Sequence, residues 1–367
     1  MPVSNKFNKA TELIRIALAV VFCAALPVTL YGADTHTAPL FATHDVIDVT
    51  IAAPITTLMD VRPDKTYLDG TFIYMQGDGT EKRLTLKLRI RGNYRRDKEH
   101  CDFAPILLNF RKSEVAGTLF AGQDKLKLVT QCKTEVSGYT KVVFREYLAY
   151  RLFRELTDIS YGVRLFRIRY VDMQNSRQNT RYGFVIEDKK AVAERNALHI
   201  AKVKRLSEED YDPASQNLVH LFEFMVGNTE YSLVNPEPGK SCCHNSDVLS
   251  ATSGPPYIAL PFDFDFAGLV NAPYAEPNPR YQLPSVRNRL YRAPCSNNAS
   301  LPETIELFER KRASLFRVID ELAETSSTAR HALRWPRNYI EEFFDIIADP
   351  DRVQKELVEK CDDSSAK

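Results

Sequence analysis

The chain has 367 residues, of which 44% are hydrophobic and 26% are charged, and its formal net charge is +1. This is the composition of a globular protein, long enough for one large domain or two smaller ones. A nearly neutral chain has no overall field that would draw it to nucleic acid, so we expect no nucleic-acid partner.

The N-terminal segment has the pattern of a secretory signal peptide. Basic residues, the last of them Arg15, precede an apolar run over residues 16–30, and small residues follow up to Ala33. This order predicts a signal peptide at residues 1–33 that is cleaved after Ala33. An uncleaved anchor is the alternative, but the run is shorter than the roughly 20 residues of a membrane span. We therefore expect an exported protein, periplasmic or secreted, with no stable membrane span after signal cleavage.

Between the predicted signal and about residue 190 the sequence is mostly typical of strands. Over residues 84–91, leucine and isoleucine alternate strictly with threonine, lysine and arginine, which predicts a strand with one buried face. A turn signal follows at Gly92. The other strands are predicted at residues 105–110, 126–130, 163–171 and 182–186. One helix is predicted among them, at residues 142–156, because its leucines recur on one face.

The cysteines are typical of an oxidised protein. Cys23 falls in the predicted signal, and an even number of cysteines remains after its removal, which favours disulfides in an exported chain. We expect Cys101 to pair with Cys132, because both flank segments predicted as strands. The remaining cysteines are Cys242, Cys243, Cys295 and Cys361. These four could tie a loop and the C-terminal tail to the second half. Zinc binding is the competing interpretation, although the chain has no CxxC pair.

From about residue 214 the pattern becomes helical. Residues 215–226, 302–318 and 338–360 are predicted as helices, with polar loops at 228–256 and 271–294. Gly227 directly follows the first of these helices, in the position of a helix stop.

The segment Pro261-Phe262-Asp263-Phe264-Asp265-Phe266-Ala267-Gly268 separates the two loops. If it is a strand, Asp263 and Asp265 share one face and the phenylalanines share the other, since side chains alternate with period two. Paired carboxylates at the end of a buried strand suit a hard divalent ion such as magnesium. The structural alternative is a strand edge whose aspartates face water or cap a turn.

Five short motifs resemble one family when they are taken together. They are Arg91-Gly92-Asn93, Tyr182-Gly183-Phe184-Val185-Ile186-Glu187, Val226-Gly227-Asn228-Thr229-Glu230-Tyr231-Ser232, His244-Asn245 and Pro261-Phe262-Asp263-Phe264-Asp265. In their order and spacing, over about residues 85–270, the chain resembles the spore-coat CotH kinase-like family. The resemblance implies an α+β, two-lobed protein-kinase-like fold. A strand-rich N-lobe with one helix would occupy residues 34–190, and a helical C-lobe with the metal and catalytic loops would occupy residues 191–367.

Carried over residue by residue, the resemblance implies a metal and catalytic set. Asp263 would be the main magnesium or manganese ligand and Asp265 the second, and Asn245 would match the family's metal-binding asparagine. Glu230 stands where the family pattern has an aspartate, and it would be the catalytic carboxylate. Its side chain has one more methylene than aspartate, which would displace the carboxylate and could slow or abolish catalytic turnover.

A second set would bind ATP. The resemblance implies that Lys127 on a predicted strand pairs with Glu146 on the predicted helix to position phosphates. Arg89 and Arg91, on the polar face of one predicted strand, could form forks onto phosphate oxygens, and Glu187 would lie near the hinge and the adenine. The structural alternatives are a solvated strand face for Lys127, a surface position for Glu146 and an acidic partner in the same lobe for Arg91.

The resulting hypothesis is an exported phosphotransferase. It would use ATP and Mg²⁺ or Mn²⁺ to modify a hydroxyl on a protein or glycan acceptor in the cell envelope. The alternative is a catalytically weak or inactive kinase-like binding module, which Glu230 and the export signal favour. Metal-assisted phosphoester hydrolysis ranks last, because too few ligands cluster in the sequence. The acceptor, the nucleotide preference and the oligomeric state stay open.

Overall fold

Seven strands in the first half of the chain close into a barrel. The computed structural model describes residues 37–136, 138–236 and 239–362, so the predicted signal at residues 1–33, with Cys23, lies outside the described residues. The strands are β1 (Ile47–Ala53), β2 (Leu68–Met75), β3 (Glu81–Ile90), β4 (Ile106–Phe110), β5 (Lys125–Val129), β6 (Val163–Asp172) and β7 (Gln178–Ile186).

The barrel closes through a pair of strands that are distant in sequence. The strand order is β1-β2-β3-β4-β5-β7-β6, and β6 returns to pair with β1. This last pair is parallel, with Ile47 opposite Phe166, whereas the other pairs are antiparallel. The barrel therefore presents no unpaired outer strand, which is the usual way in which closure removes sheet edges.

The barrel interior is filled by side chains from every strand. Along β1 and β3, buried and more exposed positions alternate, as expected when one face of a strand turns inward. The inward residues meet in one hydrophobic cluster that includes Val49, Phe72, Leu86, Leu108, Leu126, Phe166 and Val185. Aromatic rings cross within this cluster, for example Phe72 and Phe110 with centroids 5.2 Å apart.

Helices and a small sheet account for most of the remaining regular structure. The helices are α1 (Ile55–Val61), α2 (Lys112–Val115), α3 (Tyr139–Leu156), α4 (Lys189–Arg195), α5 (Pro213–Val226), α6 (Leu301–Glu324), α7 (Ser327–Ala332), α8 (Arg334–Ile347) and α9 (Pro350–Glu356). The strands of the small sheet are β8 (His199–Ile200), β9 (Ser246–Ser250) and β10 (Tyr257–Pro261), in the order β10-β9-β8. Among the described residues, no helix combines the length and apolar character needed to cross a membrane.

A second hydrophobic cluster joins the barrel to the helices. It contains barrel residues such as Leu165 and Phe184, together with Leu148 of α3, Phe222 of α5 and Phe343 of α8. Helix α3 is buried on several sides, because it packs against the barrel strands and also against α6 and α7. The described residues, from Thr37 to Asp362, belong to one compact unit.

The predicted two-lobed kinase-like fold is wrong. The seven strands form a closed barrel with helices packed against it, instead of a strand-rich lobe that carries one helix. The physical reason is the parallel pairing of β1 with β6, which turns an open sheet into a barrel. Both partners are strands in their own right, but alternation along a strand does not reveal its neighbour. The predicted boundary at residue 190 falls just after β7, within the unit that the barrel and the helices share.

The six cysteines among the described residues lie in three pairs. Cys101 and Cys132 have their Sγ atoms 1.99 Å apart, so the predicted pairing is confirmed. The adjacent residues Cys242 and Cys243 pair with each other. Cys295 pairs with Cys361 and ties the end of the described chain to the segment before α6. These pairs are compatible with an exported protein, since disulfides persist in oxidising compartments.

Candidate functional site

The Asp-Phe-Asp-Phe segment leaves its strand before the first aspartate. β10 ends at Pro261, and Asp263 has a φ of 66°, in the left-handed region. The N–H of Asp263 donates to Oη of Tyr150 on α3 over 2.9 Å. The predicted strand over the two aspartates is therefore wrong, because the chain turns at Asp263. Of the three phenylalanines, Phe264 is fully buried, and the other two line a pocket.

The two aspartates nevertheless meet at one guanidinium, that of Arg95. This arginine is 7% exposed and lies in the turn after β3. Its Nε is 3.3 Å from Oδ2 of Asp265, and its Nη2 is 3.9 Å from Oδ1 of Asp263. Its two terminal nitrogens also donate to the carboxylate of Glu146 on α3, over 3.3 and 3.5 Å. One buried cation thus holds three carboxylates around it.

The three carboxylates differ in environment. Burial raises the pKa of Glu146 to about 8 and that of Asp265 to about 6, and Arg95 opposes both shifts. Oη of Tyr274 donates to Oδ2 of Asp265 over 3.0 Å. The side chain of Asp263 is 44% exposed, so it is the carboxylate of the three that solvent or a ligand reaches most easily.

A cavity of about 310 Å³ opens over these groups. We call it the Asp263 pocket. Its lining includes Arg91, Glu230, Asn245, Asp263 and Asp265, five of the eight residues predicted to act in the site. A small inner chamber of about 10 Å³ adjoins it and is lined by Lys127 and Glu146, two more of the eight. The structure therefore brings together residues from β5, α3 and three loops that are separated by as much as 174 positions, from residue 91 to residue 265.

Two cations, Arg91 and Lys127, border the pocket or its inner chamber. Among the described residues, neither Arg91 nor Lys127 has an acidic partner at ion-pair distance. Burial lowers the pKa of Lys127, and the positive charge of Arg91 lowers it further. Nζ of Lys127 lies 5.5 Å from the ring centroid of Phe262. The predicted ion pair between Lys127 and Glu146 does not form, because Arg95 occupies Glu146.

Asn245 and Glu230 lie side by side at the wall of the pocket. Nδ2 of Asn245 donates to the backbone carbonyl of Glu230 over 2.7 Å, and the Asn245 carbonyl accepts from the N–H of Phe262 over 3.0 Å. Asn245 has a φ of 51°, a conformation that asparagine tolerates better than most residues. Helix α5 ends at Val226 with Gly227 in the left-handed region, so the predicted helix stop is confirmed.

Glu187 is not brought to the pocket. It is 1% exposed, and its Oε2 accepts from the N–H of Gly162 over 2.8 Å. Its Oε1 is 3.2 Å from Nε of Arg195, which follows it on α4. The carboxylate therefore holds the end of β7 to α4. Arg89, on the polar face of β3, donates instead to Oη of Tyr67.

Sequence reasoning missed Arg95 and Tyr150, and it did not place Tyr274 beside Asp265. Arg95 is one of three arginines between residues 91 and 96, and that clustering was a signal of a cationic loop. It did not show which side chain turns inward, since the neighbouring Arg96 pairs at the surface with Asp64. Neither tyrosine belongs to a recognisable sequence motif. Tyr150 on α3 contacts Asp263, and Tyr274 in a later loop contacts Asp265, only because the folded chain brings these segments together.

The pocket is lined by oxygen atoms of the kind that bind hard cations. Among the described residues, no group of three or more His, Cys, Asp or Glu side chains is arranged to hold a metal ion. Asp263, Asp265 and Asn245 supply two carboxylates and one amide, the small oxygen set to which magnesium adds water and substrate phosphates. Both contacts of Asp265 with Arg95 and Tyr274 go to Oδ2, so neither engages Oδ1. Oxygen ligands of this kind are the ones that a metal bound together with phosphates would use.

Comparison of the chain with models of known protein families and with curated protein sequences found no match.

Proposed function

We propose that the Asp263 pocket binds the phosphates of ATP together with Mg²⁺ or Mn²⁺, and that the protein transfers the γ-phosphoryl group to an acceptor hydroxyl. The observation that carries the proposal is a pair of cations that have no acidic partner at ion-pair distance among the described residues. Arg91 lines the Asp263 pocket, and Lys127 lines the small chamber that adjoins it. Two like charges held close together in a buried space are stabilised by an anion between them. A polyphosphate is such an anion, and guanidinium and ammonium groups are its usual ligands.

The metal would be held by Asp263, Asn245 and Oδ1 of Asp265. When bound, it neutralises charge on the phosphates and orients them for in-line transfer. Arg95 would keep the two aspartates in place, since its guanidinium contacts both. Oδ2 of Asp265 is engaged by Arg95 and Tyr274, so Asp263, with its exposed side chain, would be the stronger ligand.

Glu230 is our candidate for the carboxylate that orients the acceptor. In the reaction the acceptor oxygen forms a bond to the γ-phosphorus, and the bond between that phosphorus and the β,γ-bridging oxygen breaks. The products are ADP and a phosphate monoester, and the hydroxyl proton passes to the Glu230 carboxylate and then to water. The backbone of Glu230 is held by Asn228 and Asn245, which sets its position at the pocket wall.

This is the activity that the CotH resemblance implies, but it rests here on the site and not on the fold. The barrel differs from the fold that the resemblance led us to expect, and a fold does not determine an activity. The predicted signal and the disulfide pairs support a periplasmic or secreted site of action, where the acceptor would be an envelope protein or glycan.

The test is phosphate transfer by purified, oxidised protein with Mn²⁺ and ATP labelled on either the γ- or the α-phosphate. We expect γ-label on the protein or on a generic acceptor. Asp263→Ala should reduce it by about 100-fold or more, a typical cost of losing one electrostatic group at a reaction centre. Asp345→Ala, at an exposed position of α8, is the matched control and should retain the label.

Two outcomes would contradict phosphoryl transfer. α-Label would mean that a nucleotide and not a phosphoryl group is transferred. Absence of label together with an unchanged melting temperature in ATP would remove the nucleotide from the site altogether.

A second candidate is a binding module that holds nucleotide without turnover. It is favoured by Arg95, an internal cation that contacts both aspartates where a metal would be needed. In that case ATP raises the melting temperature of the wild type but not that of Lys127→Ala, and no label is transferred.

A further inference from the structure

A second polar cavity lies beside the Asp263 pocket. It has a volume of about 280 Å³, and we call it the Arg292 pocket. The chain segment of residues 230–232 separates the two spaces, with Glu230 lining the first and Tyr231 lining the second. His244 lines both. A molecule in the Arg292 pocket would therefore lie next to the carboxylate that we propose as the acceptor's partner.

The arginine at the centre of this pocket is held rigidly. Its guanidinium carbon lies over the rings of Tyr231 and Tyr281, 4.6 and 4.7 Å from their centroids. Its Nη1 donates to the backbone carbonyls of Thr229 and Tyr231 over 3.3 and 2.7 Å. Its Nε is buried and has no hydrogen-bond partner among the described residues. The two rings and the two carbonyls therefore fix the position of this guanidinium in the pocket wall.

A buried histidine of α5 is also directed to this pocket. His220 is 3% exposed, and its Nδ1 lies 2.7 Å from Oη of Tyr231. Its Nε2 is buried and without a partner in the part of the chain that the structure describes. Buried polar atoms are rarely left unpaired in folded proteins. His220 makes this side of the wall polar, although its buried Nε2 is not open to the cavity.

Charged groups of both signs surround the cavity. Arg280 and Arg292 contribute two cations, and Glu208 and Asp362 contribute two carboxyl groups, of which Glu208 has its pKa raised to about 7 by burial. Asn278 adds an amide that can both donate and accept. Asp362 is brought here by the Cys295–Cys361 disulfide, and its N–H donates to the carbonyl of Ala293 over 2.7 Å.

This lining favours one chemical class of ligand. An anion would meet the two carboxylates and a cation would meet the two guanidinium groups, so a net charge of either sign is disfavoured. An apolar group would leave the many polar side chains without partners. A neutral molecule with several hydroxyls can donate to the carboxylates and accept from the arginines at the same time.

We propose that the Arg292 pocket binds a neutral sugar unit of a glycan, and that this glycan is the acceptor of the phosphoryl group. The second half of the statement rests on the proposed function, whereas the first half does not. The pocket's position against Glu230 and His244 would present a sugar hydroxyl to the Asp263 pocket. The transfer itself is the step given above, with the sugar oxygen forming the bond to the γ-phosphorus.

The test measures sugar binding without nucleotide. Purified, oxidised protein is applied to a microarray of neutral and charged glycans and, in parallel, to an array of serine- and threonine-containing peptides. The strongest glycan is then titrated by calorimetry. We expect a neutral glycan to bind, and Tyr281→Ala and Arg280→Ala each to weaken it by about 10-fold or more, because they remove a packing face and a donor.

Matched controls lie outside both pockets. Arg330→Ala removes an exposed arginine from α7 and should leave binding unchanged. Asp345→Ala, at an exposed position of α8, should also leave binding unchanged. Circular dichroism of each variant checks that it is folded.

Three outcomes would overturn the inference. They are binding of peptides without glycans, binding of no glycan, and glycan binding that survives both Tyr281→Ala and Arg280→Ala. Because no ATP is present, the result is independent of the labelling experiment. Sugar binding without γ-label would keep the pocket and remove the phosphotransferase, and γ-label without sugar binding would do the reverse.

Discussion

At the scale of single residues, the site depends on one guanidinium. Arg95 is buried and contacts three carboxylates, of which Glu146 and Asp265 have pKa values raised by burial. Removing a buried cation leaves its partners as buried, uncompensated charges, which costs more than the ion pair contributed. Arg95 is therefore a positioning residue whose loss affects both stability and the placement of the two aspartates.

We expect Arg95→Gln to lower the free energy of unfolding by roughly 3–5 kcal/mol, the usual cost of breaking a buried ion pair. Adding Glu146→Gln should recover part of the loss, because the charge left behind is then removed. Urea unfolding of the two single variants and the double variant measures the coupling. Arg83→Gln is the control, since Arg83 forms an exposed pair with Glu81 and should change stability by less than about 1 kcal/mol.

A second buried carboxylate, Glu223 of α5, predicts how stability changes with pH. It is fully buried, its polar neighbour is Asn228, and burial raises its pKa to about 8. The folded state therefore keeps this proton at pH values where the unfolded chain, with a pKa near 4.5, has lost it. Its contribution to stability is fully present below about pH 4.5 and is lost as the pH rises through about 8.

Replacing Glu223 with glutamine should flatten this dependence. We expect wild-type protein to lose stability between about pH 5 and about pH 8, and Glu223→Gln to lose less over the same range. A tenfold difference in proton affinity between the folded and unfolded states corresponds to about 1.4 kcal/mol. Denaturant unfolding at several pH values measures both slopes. Glu194→Gln, at an exposed position of α4, should follow the wild type, and equal slopes for all three proteins would refute the assignment.

At the scale of secondary-structure elements, closure of the barrel requires a glycine in β7. A Cβ added to Gly183 would lie 2.8 Å from the carbonyl oxygen of Val129 in β5 and 3.0 Å from Cδ1 of Ile168 in β6. Both are closer than side chains normally approach. The strand pairs on either side of β7 would have to move apart to accept even alanine.

Gly183→Ala should therefore destabilise the protein by roughly 1–3 kcal/mol, the usual cost of overpacking a closed interior. Gly77→Ala is a matched control, because a Cβ at Gly77 meets nothing within 4 Å. Thermal and urea unfolding of the two variants measure the difference. If the two substitutions cost the same, the barrel at β7 is looser than the structure indicates.

The loop that carries Arg95 is held by a disulfide. Cys101 lies between β3 and β4 and Cys132 follows β5, 31 positions later. Replacing both by serine should lower the free energy of unfolding by about 2–4 kcal/mol, as for loops of this length. Unfolding of oxidised protein measures the loss. Alkylation of both thiols in the oxidised wild type would show that the bond is absent.

Several elements could be predicted from the sequence because their signal is local. The alternation over residues 84–91 matches β3, which ends at Ile90, and the leucines of residues 142–156 lie in α3. The disposition of Asp263 could not be predicted, because its turn depends on Tyr150, a partner 113 positions away. The two aspartates stand out in the sequence because they alternate with phenylalanine. Their common neighbour, Arg95, can be identified only from the folded structure. The same limit applies to the barrel, since β1 and β6 are paired by contacts that no local pattern encodes.

At the scale of the whole molecule, two hydrophobic clusters make the barrel and the helices depend on each other. One cluster fills the barrel. In the other, barrel side chains such as Leu165 and Phe184 pack against α3, α5 and α8. The Asp263 pocket and its inner chamber lie where these layers meet, and the chamber receives Lys127 from a barrel strand and Glu146 from a helix. A substitution that loosens the contact between the layers should therefore alter the geometry of the pocket, even when the substituted residue is far from the pocket.

The parallel pairing of β1 with β6 also sets the order in which a newly made chain can fold. Val49 finds Tyr74 on β2 soon after both are synthesised, but its second neighbour, Ile168, comes almost one hundred residues later. Until then one side of β1 has free N–H and C=O groups, which are a template for strands of other chains. Partly synthesised chains that end before β6 should therefore be the species most prone to aggregate and most dependent on chaperones.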